Sequence, residues 1–320
     1  MKALVFISVK QALEYKEHPD PIIKDGFAMV ELKAAALNRR DWWITQGMYA
    51  NIKTPSILGS DGCGIYNGEE VIINPSIEWG SDIRFQSDKY KILGMEEDGT
   101  FAEKIAVRKN NIYKKPAHLT SEEAAALPLS GLTAYRALFT RCAAEAGDNV
   151  LISGVGGGTA LMACQFAIAA GANVYVTSGS EDKIKKAVAL GAKGGANYKD
   201  RDAMKNLGKS AGGFDVVIDS AGGAGFDMLL RMCRKGAQVA IYGGTTGNIE
   251  KINVPNLFYK QISIHGSTMG SDMEFKKMLE FVGEYKIVPV IDKVFDLKNG
   301  NEAVEMMAGS PQFGKLVLKI

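Results

Sequence analysis

Short, wholly apolar runs punctuate the middle of this chain. Val150-Leu151-Ile152 and Val174-Tyr175-Val176 read as parallel strands buried on both faces. Between them stands Gly154-Val155-Gly156-Gly157-Gly158, too glycine-dense for the interior of a helix or strand. The stretch from Thr159 to Ala170 is apolar nearly all round, which predicts a helix covered on several sides. Asp215 to Asp219, Gln238 to Tyr242 and Gln261 to His265 predict three further strands, each running into a glycine-bearing loop. Before about Lys115 the pattern changes to strands broken by Gly, Pro and Asn67-Gly68. The runs there are Leu4 to Val9, Phe27 to Ala34, Glu70 to Ile73 and Phe101 to Val107. Trp79 to Gly99 is polar and without period, a long loop. Thr120 and Glu123 form a capping box ahead of Ala124-Ala125-Ala126-Leu127, and Leu132 to Ala144 reads as helix closed by Gly147. The tail predicts an amphipathic helix over Asp272 to Tyr285, a second from about Asn299 to Ala308, and a last strand, Leu316 to Lys319, returning to the N-terminal β region.

Strand, glycine turn, helix, strand is the unit that holds a dinucleotide. Backbone N–H groups can approach a pyrophosphate where side chains are absent, and the helix N-terminus adds partial positive charge. Gly154, Gly156, Gly157, Gly158 and Thr159 are therefore candidate cofactor contacts. The spacing departs from the usual fingerprint: Thr159 follows Gly156 by three, and Gly154, Gly157 and Ala160 form an alternative register. A glycine cluster alone also suits a flexible loop; the flanking strands and helix favour the cofactor. In an open α/β sheet ligands sit at the carboxyl ends of the strands. That adds Ser178, Ser220, Gly243, Gly244, Thr245, Ser267 and Met269. The second strand ends in Thr177-Ser178-Gly179-Ser180, with no acid to bond a ribose 2′-hydroxyl, and Lys183 follows within a turn. Glu181 and Asp182 read as first-turn helix residues, with Ser178 or Ser180 as N-cap. NADP(H) is the expected cofactor.

Composition narrows the class. A chain of 320 residues with 46% hydrophobic and 23% charged content suits two modest domains. A net charge of +2 gives no nucleic-acid surface, and no run is long enough to span a membrane. The four cysteines are scattered without a CxxC pair, which argues against a disulfide framework or a zinc knuckle. A cytoplasmic enzyme is expected.

Several segments in this order and spacing carry a family resemblance. They are Ala36-Leu37-Asn38-Arg39-Arg40-Asp41, Gln46-Gly47-Met48-Tyr49, Leu58-Gly59-Ser60-Asp61-Gly62-Cys63-Gly64, Gly99-Thr100-Phe101-Ala102-Glu103, Leu127 to Tyr135, the glycine unit, and Gly314-Lys315-Leu316-Val317-Leu318. Over essentially its whole length the chain resembles the medium-chain dehydrogenase/reductase superfamily, and within it the zinc-free quinone-oxidoreductase branch. The resemblance implies an α/β chain in two parts. A GroES-like β-rich catalytic domain takes 1–118 and 268–320, and a doubly wound Rossmann domain takes 119–267. Where zinc alcohol dehydrogenases hold a Cys, a Gly-His-Glu and a third ligand, this chain has Asn38, Gly59-Ser60-Asp61 and Leu129. No metal is expected. In the NADPH-using quinone reductases a Lys and a Tyr hold the 2′-phosphate, and Lys183 and Tyr198 match their positions. Asn38 and Tyr49 resemble the family's residues beside nicotinamide and substrate; Asp41 reads as a helix-start residue.

The expected reaction is hydride transfer from NADPH to a small electrophile, a quinone or an α,β-unsaturated carbonyl. Alcohol dehydrogenase and enoyl-thioester reductase activities are alternatives within the superfamily, and a non-enzymatic NADPH-binding role is an alternative outside it. The resemblance also implies a homodimer through the edge strands of the Rossmann sheet.

Overall fold

The computed structural model describes residues 1–320. The chain forms two compact units, 1–132 with 270–320, and 133–269.

The first unit begins with β1 (Lys2–Phe6), β2 (Phe27–Ala36), α1 (Arg39–Thr45), β3 (Asp61–Tyr66), β4 (Glu69–Ile73), β5 (Lys104–Arg108), β6 (Ile112–Lys114), α2 (Ser121–Ala125) and α3 (Pro128–Tyr135), the last crossing into the second unit. The second unit contributes β7 (Asn149–Ile152), α4 (Gly158–Ala169), β8 (Asn173–Ser178), α5 (Glu181–Ala189), β9 (Gly194–Asn197), β10 (Phe214–Asp219), β11 (Cys233–Ile241) and β12 (Ser263–Gly266). The chain then returns to the first unit through α6 (Asp272–Tyr285), β13 (Ile291–Asp296), α7 (Gly300–Gly309) and β14 (Lys315–Lys319).

The sheet of the first unit runs β6-β4-β3-β2-β14-β13, with β5 also on β2. The last strand is thus inserted beside β2, pairing Val317 with Ala36 and Leu318 with Ala35. Leu4, Phe6, Leu37, Ile44, Leu58, Phe101 and Leu316 are buried together beside it. α1 starts at a capping box: the Asp41 carboxylate accepts from the Asn38 N–H at 2.7 Å.

In the second unit β9-β8-β7-β10-β11-β12 lie parallel, the doubly wound order whose direction reverses between β7 and β10. Val150, Leu151 and Ile152 are fully buried, as a strand covered on both faces requires. The strand–glycine–helix–strand unit and β10 lie where the apolar runs predict them, while β11 begins at Cys233 rather than Gln238 and β12 at Ser263 rather than Gln261.

Some boundaries differ from expectation. The units divide after Leu132 and after Met269, because α2 packs on β2 and β3 and stays with the first unit. β1 ends at Phe6, short of the expected Val9, since Lys10 turns the chain at φ 62. The expected helix over Leu132 to Ala144 begins earlier, at Pro128, and widens into a π-type turn over Arg136–Arg141. No helix is long and apolar enough to cross a membrane.

Candidate active site

The expected site residues fall into two groups, one in each unit. In the second unit β7 delivers the chain into the glycine turn. Gly154 has φ +67 and Gly156 φ +128, left-handed positions that glycine tolerates best. Gly157 is the N-cap of α4 and no side chain caps it. The first N–H groups of that helix lack a side-chain acceptor, and the site suits an anion. The turn is tied to the end of β8: Val155 N–H donates to the Thr177 carbonyl at 2.8 Å, and Gly154 N–H approaches the Thr177 hydroxyl at 3.3 Å.

Around that junction stand the residues expected to hold a 2′-phosphate. The Lys183 side chain lies across Gly156: a Cβ placed there would meet Lys183 Cδ at 2.7 Å and Nζ at 3.3 Å. A Cβ on Gly179 would meet the Tyr198 hydroxyl at 2.7 Å and Lys199 Cε at 3.3 Å. Glycine at 156 and 179 therefore leaves room for two cations and a phenol. Ser180, not Ser178, caps α5, accepting from the Lys183 N–H. The Ser178 hydroxyl is buried and accepts from the Ser180 N–H. Glu181 and Asp182 sit exposed in the first turn of α5.

The loops after β10 and β11 bind each other. Thr245 donates through its N–H and its hydroxyl to the Ser220 carbonyl, at 3.3 and 3.2 Å. Gly243 makes this approach possible, since a Cβ there would lie 2.8 Å from the same carbonyl oxygen. Asp219 is fully buried and accepts from the Ser153 hydroxyl and from the N–H groups of Ala221 and Gly222. Ser267 donates its N–H to the Ile241 carbonyl, while its buried hydroxyl has no partner. Met269 is buried, its sulfur accepting from the Thr133 hydroxyl at 3.7 Å.

In the first unit Asn38 is the centre. It is 7% exposed and lies between the end of β2 and α1. Its Nδ2 donates to Asp61 Oδ2 at 2.9 Å, and its Oδ1 accepts from Lys315 Nζ at 2.6 Å. Lys315 also donates to Asp61 Oδ2 at 2.9 Å. The other Asp61 oxygen accepts from the Leu129 N–H at 2.8 Å. A second buried layer follows: Arg40 donates to the Ser60 hydroxyl at 2.6 Å and to the Leu93 carbonyl at 2.9 Å. The Tyr49 ring stands 5.7 Å from the Arg40 guanidinium, which joins it to this second layer. Burial pushes the Asp41 carboxyl up to about 6, against the pull of Arg40 beside it. Burial also raises the four thiols, Cys63, Cys142, Cys164 and Cys233, to about 12, which leaves them inert as nucleophiles.

Asp61, Lys315 and Lys199 carry no role in the sequence reading. One signal for Lys315 was present: a lysine opening an apolar strand whose next three residues are fully buried.

Comparison with known proteins bears on both groups. Residues 24–117 match the model of the alcohol dehydrogenase GroES-like domain, and residues 158–284 that of the zinc-binding dehydrogenases. The chain is 35% identical to the zinc-type alcohol dehydrogenase-like protein YogA of Leptosphaeria maculans, over 91% of this chain and 90% of that one. It superposes on a structure described as an NAD-dependent alcohol dehydrogenase with a TM-score of 0.94 at 34% identity, covering 100% of both chains. The quinone oxidoreductase of Thermus thermophilus, solved also with NADPH, matches at a TM-score of 0.85 and 25% identity, again over 100% of both. With a GroES-like first unit and a Rossmann-like second, the chain belongs to the medium-chain dehydrogenase/reductase superfamily of nicotinamide-dependent oxidoreductases, in its zinc-type alcohol dehydrogenase-like branch.

Proposed function

We propose that the chain is a zinc-independent reductase that passes hydride from NADPH to a quinone or to an alkene conjugated to a carbonyl. The observation that carries this reading is the closed group of Asn38, Asp61 and Lys315. Zinc takes thiolate, imidazole or carboxylate donors. Here Asn38 offers a carboxamide bonded on both sides, Leu129 has no donor side chain, and the Asp61 carboxylate already faces an ammonium at 2.9 Å. A zinc ion would have to displace a buried ion pair, so this donor set does not fit the metal that the family description implies. Acceptors that are electron-poor to begin with need no Lewis acid to be reduced.

The nucleotide, when bound, supplies the hydride. The chain's own residues hold and orient. The uncapped first turn of α4 would meet the pyrophosphate, and Lys183, Tyr198 and Lys199 the 2′-phosphate. Asn38 would donate to the substrate oxygen on which negative charge builds. Tyr49 would line the substrate pocket. The reading includes a homodimer through β12, the outer strand of the parallel sheet. The helix Val254–Tyr259 just before it leaves Phe258 61% and Tyr259 77% exposed.

The test is NADPH consumption with a panel of quinones and enones, with and without chelator, beside NADH and alcohol-oxidation controls. Turnover with NADPH that survives chelation is expected. Loss of turnover on chelation would favour a metal-dependent alcohol dehydrogenase, and tight NADPH binding with no turnover would favour a non-enzymatic role. A clear preference for NADH would overturn the cofactor assignment.

A further inference from the structure

Lys315 is 4% exposed, an unusual place for an ammonium. The backbone explains how it arrives there. β14 pairs with β2, and the Leu37 N–H donates to the Leu316 carbonyl at 2.9 Å, which sets residue 315 beside residue 38. Its Nζ then reaches Asn38 Oδ1 at 2.6 Å and Asp61 Oδ2 at 2.9 Å.

These contacts fix the Asn38 carboxamide from both ends. An ammonium can only donate, so the atom facing it is the amide oxygen. A carboxylate can only accept, so the atom facing Asp61 is the amide nitrogen. The second hydrogen on Nδ2 has no acceptor within the protein. It is a donor in a buried site, on an amide whose oxygen is bonded to a cation. The bond from the Lys315 ammonium draws electron density toward the amide oxygen, and makes the free N–H a stronger donor than it would be without that cation.

We propose that Lys315 is a positioning residue for the reaction: it orients and polarises Asn38 so that the remaining N–H meets the substrate oxygen as charge develops there. The inference rests on the reading that Asn38 contacts that oxygen. It gives the chain an internal, covalently attached cation at the residues that take the ligand positions of the zinc enzymes. No bond to Lys315 forms or breaks, and the hydride still comes from the nucleotide.

The experiment compares Lys315→Met, Lys315→Arg, Asn38→Ala and the Lys315→Met/Asn38→Ala pair. Folding is read by circular dichroism. If Lys315→Met fails to fold because Asp61 is left unmatched, Lys315→Met/Asp61→Asn, which removes both charges, takes its place. The expected loss in kcat is about 10²-fold, the scale of one oxyanion donor. KM and the affinity for NADPH should stay within about twofold, and Lys315→Arg should recover part of kcat. In the Asn38→Ala background the same lysine change should cost no more than about twofold, because the two act as one unit. A full-sized loss in that background, or an unchanged kcat in Lys315→Met, overturns the proposal.

A second readout needs no turnover. The side-chain amide pair of Asn38, identified by its absence from the spectrum of Asn38→Ala, should shift in Lys315→Met toward the positions of exposed asparagines. An unmoved pair overturns the positioning role. A panel in which nothing is reduced removes the proposed activity instead, and the amide spectrum still decides the role of Lys315.

Discussion

At the scale of the residue, Asp41 is a fully buried carboxyl whose charge is held at a cost. Its carboxyl rises from 3.8 to about 6 through burial, with one oxygen accepting from the Asn38 N–H and the other, without a hydrogen bond, 4.0 Å from the Arg40 guanidinium. A raised carboxyl binds its proton more tightly folded than unfolded. Its contribution to stability is therefore full below 3.8 and falls as pH rises through about 6. Asp41→Asn removes this dependence. Relative to the parent it should gain stability between pH 4 and pH 6 and hold the gain above, by at most about 3 kcal/mol. Urea midpoints at pH 4 and pH 7 check the sign. Lys183 gives a second prediction. Lys183→Ala should weaken NADPH by about 10- to 100-fold, the worth of a charge-assisted bond, while NADH changes by less than about twofold. Fluorescence titration with both nucleotides separates these outcomes. Lys183 was legible from its place within a turn of the second strand's end, where no acid stands, and Tyr198 only through the family resemblance. Sequence pattern was silent on Lys315 as a partner of Asn38, because 277 residues separate them and only the sheet register joins them.

At the scale of the element, glycine contacts hold the loop that presents Asp61. A Cβ on Gly94 would lie 2.2 Å, and one on Gly99 2.1 Å, from the carbonyl oxygen of Gly59, two residues before Asp61. Those atoms are backbone and cannot swing aside. Gly99→Ala should destabilise the protein by about 1 to 3 kcal/mol in urea unfolding, and should lower activity by displacing Asp61 from Lys315. In the second unit β7, β8 and β10 were readable because each is a largely apolar run followed by a glycine-bearing turn, whereas β9, Gly194-Gly195-Ala196-Asn197, carries no apolar run and leaves no such mark. The first unit was less readable. Its turns depend on single positions such as Lys10; in the second unit the π-type winding after Tyr135 likewise leaves no mark in apolar spacing. The amphipathic helix over Asp272–Tyr285 has the ends expected of it, and the structure closes its start with a Ser271–Glu274 capping box.

At the scale of the whole molecule, the outer strand of the parallel sheet is the place to test assembly. β12 follows a helix with two largely exposed aromatic rings, Phe258 and Tyr259, whose centroids lie 5.6 Å apart at a tilt of 33°. Tyr259→Glu should convert a particle of twice the 34.4 kDa chain mass into one of the chain mass itself, read by sedimentation. The far-ultraviolet spectrum should not change.

The insertion of β14 beside β2 also bears on the order in which the two units can be completed. The parallel-sheet unit is contiguous from 133 to 269, so all its strands are present once that segment has been made. The other unit is still incomplete then, for the slot between β2 and β13 stays vacant until residue 319 emerges. The earliest part of the chain to be made is thus the last to be sealed, and the lysine that seats Asn38 arrives with the seal.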